Sequence, residues 1–137
     1  MTNQLYPPYK ENMLGVGTRV DIDADSIKCI LVDSADYTFS AAHDFLNDVA
    51  AAGRVATSPA LTTKTQTAGV FDADDFTFVG VTGDQAEYFI YYDDTPATEA
   101  TKQLMAFFDT FTSGMPVTPN GGDIAVQLHA SGIWAIG

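Results

Sequence analysis

Asp21, Asp23 and Asp25 stand at alternate positions in Asp21-Ile-Asp-Ala-Asp25, a spacing with which calcium loops present oxygen ligands. The rest of such a loop does not follow. Ser26 stands where the turn glycine belongs, and Val32 where the bidentate glutamate belongs. On a strand the three carboxylates share one face, where their charge discourages edge-to-edge pairing. Asp72, Asp74 and Asp75 form a second acidic group. Aspartates favour such turns because their side chains accept hydrogen bonds from nearby amides. Neither group is assigned a metal, and no cofactor is expected.

Nucleophilic chemistry has little to build on. A hydrolase brings together a nucleophile, a base and an orienting acid. His43, followed by Asp44, and His129 are the two histidines. Ser40 is near enough in sequence to His43 for a minimal hydrolase, but no serine lies in a Gly-x-Ser-x-Gly elbow. His43 reads most simply as a capping or packing residue. Cys29 is the single cysteine, which excludes an internal disulfide framework; within Ile27-Lys-Cys-Ile-Leu-Val-Asp33 it serves as a small core hydrophobe. Gly15-Val-Gly17 lacks the preceding strand of a nucleotide loop. No catalytic residue is assigned, and the chain is not expected to be an enzyme.

Charge narrows the partners. Eighteen acidic residues face six basic ones across 137 residues, a net of -12. Such a surface repels nucleic acid, whose binding requires Lys and Arg to displace counterions, and it repels anionic membranes. It suits solubility or a basic protein partner. The N-terminus has no basic start followed by an apolar stretch, so no secretory signal is read. No segment has the length of a transmembrane helix, and synthesis in the cytoplasm is the expectation.

The elements that must position these residues are mostly strands. Ile27–Asp33 and Glu87–Tyr92 carry the strongest signals. The second is bulky on both faces, with Tyr88, Ile90 and Tyr92 on one and Phe89 and Tyr91 on the other. A strand of that kind is covered on both sides, here by a helix or a neighbouring subunit. Further strands are expected over Arg54–Thr57, Leu61–Thr67, Phe76–Val81 and Gln103–Asp109. Ile124–Leu128 and Ile133–Ile136 read as a C-terminal hairpin. Val20–Asp25 is an edge strand or a loop. Tyr6-Pro-Pro-Tyr9 reads as an extended arm, since proline is excluded from helix interiors. A short helix is expected over Lys10–Leu14, ended by Gly15 and Gly17. Ser40 is placed as the cap of another, through Asp48.

The sum is an all-β fold, sandwich or barrel-like, with a short helix and an extended N-terminal arm. One β-rich domain spans 1–137, with arm and short helix in 1–17 and the β core in 18–137.

Four runs carry more information than any candidate site. They are Tyr37-Thr-Phe-Ser-Ala-Ala-His-Asp-Phe-Leu46, Arg54-Val-Ala-Thr57, Val70-Phe-Asp-Ala-Asp-Asp-Phe76 and Val117-Thr-Pro-Asn-Gly-Gly-Asp123. Together they resemble small virion structural proteins of tailed bacteriophages, over roughly Ile27 to Val126. The resemblance brings no catalytic motif. It implies a structural role, foremost a capsid decoration (cement) protein, similar to small β-rich proteins that sit as trimers on the outer shell. The implied partners are the major capsid protein and copies of this chain in a homotrimer, and the implied location is the capsid surface. A minor tail, neck or fibre-associated protein is the alternative placement. A host-glycan module stacking sugars on Tyr91, Tyr92 and Trp134 is a reading from another class. Leu5, Tyr6, Tyr9, Trp134 and Ile136, apolar residues near the chain ends, are the expected interface.

Overall fold

A computed structural model describes residues 2–136; Met1 and Gly137, the outer bounds of the expected domain, lie outside the described residues. Among the described residues there are ten strands, and every pairing between them is antiparallel. They are β1 (Gln4–Leu5), β2 (Ile27–Val32), β3 (Arg54–Thr57), β4 (Thr65–Thr67), β5 (Val70–Asp72), β6 (Phe76–Phe78), β7 (Tyr88–Asp93), β8 (Leu104–Phe108), β9 (Ile124–Val126) and β10 (Trp134–Ala135). One α-helix, α1 (Pro7–Met13), joins them. The fold is all-β with one short helix. None of the described helices is long and apolar enough to cross a membrane.

The centre is a five-stranded sheet in the order β1-β8-β7-β2-β3. β2 and β7 pair along their whole length, from Ile27 opposite Asp93 to Val32 opposite Tyr88. Side chains alternate across a strand, so Ile90 and Phe107 share one face of this sheet while Phe89, Tyr91 and Phe108 share the other. The first face is covered by the N-terminal segment and residues 37–46. Phe107 packs on Tyr37, Phe39 and Tyr88, and Phe39 in turn on Tyr6. The second face meets Phe78, Phe111 and Trp134. These come from two small sheets, β10-β5-β4 and β6-β9, and from the loop after β8. Both covers of the doubly apolar strand therefore come from this chain itself.

Several expectations are corrected. Tyr6-Pro-Pro-Tyr9, expected to be extended, is helical from Pro7. β1 pairs with β8, and Pro7 and Pro8 occupy the first turn of α1. Proline suits that turn, because its amide would be unpaired there anyway and its φ is preset for helix. The helix thus starts three residues before the expected Lys10. No α-helix forms over 41–48; Leu46–Asp48 is a single 3-10 turn. Asp48, not Ser40, caps it, accepting the amides of Asp44 (2.8 Å) and Phe45 (3.4 Å). For 20–25, expected as an edge strand or a loop, the loop reading holds, with a turn at 22–24. The C-terminal hairpin does not form either: β9 pairs with β6, and β10 with β5. The hairpin that does form joins β4 to β5 through Ala68 (φ 54°) and Gly69 (φ 78°). Two positive φ values in a two-residue loop give the twist that antiparallel strands require.

Candidate functional site

The four runs that carry the resemblance are spent on the fold. In the first, the Tyr6 hydroxyl meets the Tyr37 hydroxyl at 2.8 Å, and Tyr37 meets Nδ1 of His43 at 2.8 Å. Tyr6 is fully buried and Tyr37 nearly so. Burial pushes Tyr37 up to about 12, while its bond from Tyr6 pulls the other way and the Asp48 charge adds to the rise. These phenols stay protonated at physiological pH and act as links that tie α1 to residues 37–43. Ser40 Oγ accepts the Ala42 amide at 3.2 Å. His43 and Ser40 are thus committed to Tyr37 and to the local turn.

In the second run, Arg54 Nε donates to the Val49 carbonyl (2.8 Å) and Nη2 to the Leu46 carbonyl (2.9 Å). Its guanidinium also grips both carboxylate oxygens of Glu99, at 3.0 and 2.7 Å. In the third, Asp72 accepts the Ala73 amide, Asp74 the Thr63 hydroxyl and Asp75 the Leu128 amide, at 2.8, 2.7 and 2.8 Å. The second acidic group consists of braces between β5, β6 and their neighbours. In the fourth, Asn120 accepts the Gly122 amide and Asp123 the Gly80 amide.

Asp21 likewise accepts the amides of Asp23 and Ala24, and Asp25 Oδ2 accepts the Asp21 amide at 2.9 Å. The Asp25 carboxyl lies against that of Asp93, a buried residue at the end of β7. Burial pushes Asp93 up to about 6; the Thr95 amide opposes the rise and Asp25 adds to it. The pair lines a cleft of about 380 Å³ with Glu11, Arg19, Asp44 and Gln103. Beside it, Asp94 is held between Lys28 (2.8 Å) and Lys102 (2.5 Å). Burial raises the Asp94 carboxyl, but the two ammonium groups outweigh that and hold it below its usual range. Lys64 donates to the Asp25 carbonyl.

Sequence reasoning missed one cluster. Asp33, Asp36 and Asp84 bring carboxylate oxygens within 4.8 Å of one another. Asp33 is buried and accepts the Ala35 amide at 2.8 Å. Only the pairing of β2 with β7 brings residues 33–36 to residue 84, so no local signal could have revealed it. A second groove, of about 720 Å³, runs between Phe89, Tyr91 and Phe108 on the central sheet and Phe111, Met115 and Ile133.

The expected interface residues have separate fates. Tyr6 and Tyr9 are core residues of the folded chain, 0% and 4% exposed, and the Tyr6 amide donates to the Met105 carbonyl of β8. Leu5 packs partly against the core. Trp134 lies on Phe71 (4.7 Å between centroids) and Tyr91 (5.6 Å). Ile136 remains largely exposed. The side chains of Tyr91 and Tyr92 are buried, at 2% and 4% exposure. No protein-family model matches the chain, and no curated protein matches it.

Proposed function

We propose that this chain is a virion structural protein of a tailed bacteriophage: a capsid decoration (cement) protein. It binds the outer shell as a homotrimer and stabilises contacts between major capsid subunits. One observation carries the reading. The residues through which the chain resembles such proteins are used as scaffold. Tyr37 and His43 link the helix to the core, Arg54 closes backbone carbonyls, and Asp72, Asp74, Asp75 and Asp123 brace turns. A molecule whose polar side chains are committed in this way acts by shape and surface contact. The acid surplus, 18 against six, suits an outer-shell position facing solvent rather than packaged DNA.

The test is reconstitution. Capsids assembled without this chain are mixed with the purified protein, pelleted, and heated while DNA release is followed. Saturable binding with a raised release temperature is the expected result. Failure to bind the shell, with recovery on tails or necks instead, overturns the proposal.

A further inference from the structure

Among the described residues four large apolar side chains stand exposed, and two of them lie on one turn: Leu14, 87% exposed, and Val16, 62% exposed. Single exposed apolar residues are ordinary; this pair is held rigidly. The Leu14 amide donates to the Lys10 and Glu11 carbonyls, the Gly15 amide to Asn12 and the Val16 amide to Glu11. Asn12, buried at 4% exposure, spends its side chain on this turn. Its Nδ2 donates to the carbonyls of Val16 (3.1 Å) and Thr18 (2.6 Å), and its Oδ1 accepts the Val20 amide (3.0 Å). Gly15, at φ 112°, adopts a conformation that a side chain would strain. A buried asparagine thus fixes two apolar side chains in water.

The charges beside the tip are unlike those elsewhere. Lys28 and Lys102 hold Asp94, Arg54 holds Glu99, and Lys64 holds a carbonyl. Among the described residues, Lys10 and Arg19 are the two lysine or arginine side chains with neither an ion pair nor a hydrogen bond, and both flank the tip. Lys10 precedes Leu14 by one helical turn, which places it on the same face. The Arg19 guanidinium lies against Gly15, 3.1 Å from where a β-carbon would sit. The acids nearby are Glu11 on the helix and Asp21, Asp23 and Asp25 in the following turn; Asp21 and Asp25 face amides of their own turn.

We propose that the Leu14–Val16 tip is a preformed plug that seats in an apolar pocket of the shell protein, with carboxylates at the pocket rim meeting Lys10 and Arg19. The assignment rests on the decoration reading. A rigid plug loses little conformational freedom on docking, and unpaired cations on an otherwise acidic molecule select an acidic rim and fix orientation.

The experiment compares wild type, the double variant Leu14→Ser/Val16→Ser and the charge variant Lys10→Glu/Arg19→Glu in pelleting with capsids that lack this chain. Exposure at these positions predicts that both variants keep the wild-type melting temperature. The serine variant is expected to bind at least ~10-fold more weakly, from the apolar area it no longer buries. The charge variant is expected to bind more weakly and to lose the salt dependence of wild type. Serine-variant binding equal to wild type overturns the plug while leaving the decoration reading intact. Wild type that does not bind shells overturns both. Self-association of the free chain that disappears in the serine variant would put a second copy on the tip and refute the shell pocket.

Discussion

Replacing Arg54 tests whether the resemblance residues hold the fold through backbone contacts. Its side chain is 17% exposed and its partner Glu99 is 53% exposed, so the two halves of its bonding differ in worth. The ion pair is a surface pair, contributing about 0–1 kcal/mol. The bonds to backbone carbonyls are charge-assisted and sheltered. In Arg54→Ala the Leu46 carbonyl keeps the Val49 amide at 3.0 Å, so the loss there is about 1 kcal/mol. The Val49 carbonyl loses the Arg54 bond, and an unsatisfied buried acceptor costs about 1–3 kcal/mol. The total expected for Arg54→Ala is about 3 kcal/mol, against 1 kcal/mol or less for Glu99→Gln. Urea unfolding followed by Trp134 fluorescence, with the Arg54→Ala/Glu99→Gln double variant completing the cycle, separates the terms. A coupling energy as large as the whole Arg54→Ala loss would mean that the ion pair, not carbonyl closure, supplies the stability, and the argument from scaffold use would fail at this residue.

Other outcomes follow from the same contacts. Asp93 has a raised carboxyl pKa in the folded state, so its contribution is fully present below pH 3.8 and is lost as pH rises through about 6. Asp93→Asn should therefore flatten the fall in stability across that window, measured by denaturation at a series of pH values; an unchanged profile would exclude the Asp25–Asp93 pair as its source. Gly132→Ala should unfold the C-terminal strand or lower the melting temperature sharply. Its β-carbon would lie 2.3 Å from Val70 Cγ1, at a backbone φ of 111°, and a melting temperature within a degree of wild type would contradict that geometry. Tyr37→Phe should cost more than Tyr6→Phe, since Tyr37 bonds to both Tyr6 and His43; each loss should be on the order of 1 kcal/mol, and the reverse order in thermal unfolding would refute the linkage. Cys29 is fully buried, and burial raises its thiol well above its usual range. A thiol reagent should label it only after unfolding, and rapid labelling of native protein would contradict the packing.

The parts of the fold legible in the sequence are those whose signal is local. β2 and β7 stand out because Ile27-Lys-Cys-Ile-Leu-Val32 and Tyr88-Phe-Ile-Tyr-Tyr92 are apolar on both faces. Asp21 and Asp72 are legible for the same reason, since an aspartate reaching an amide one to three residues away needs no distant partner, whereas Asp74 and Asp75 bond to Thr63 and Leu128. Pro7 and Pro8 mislead because the residue that ends a helix elsewhere is favoured in its first turn. β9 and β10 mislead because three- and two-residue strands carry too little pattern to choose partners, and theirs lie in β6 and β5. Asp25 with Asp93, and Asp33 and Asp36 with Asp84, depend on strand register between distant segments. The burial of Tyr6 depends on how α1 turns onto β8, which its neighbours in sequence do not encode.

The most direct test of the central claim is the copy number of this chain in purified virions, by quantitative mass spectrometry against the major capsid protein. A ratio near unity places it across the shell, as the decoration account predicts. A few copies per particle would move it to the tail or neck, and its absence from the particle would contradict the virion role altogether.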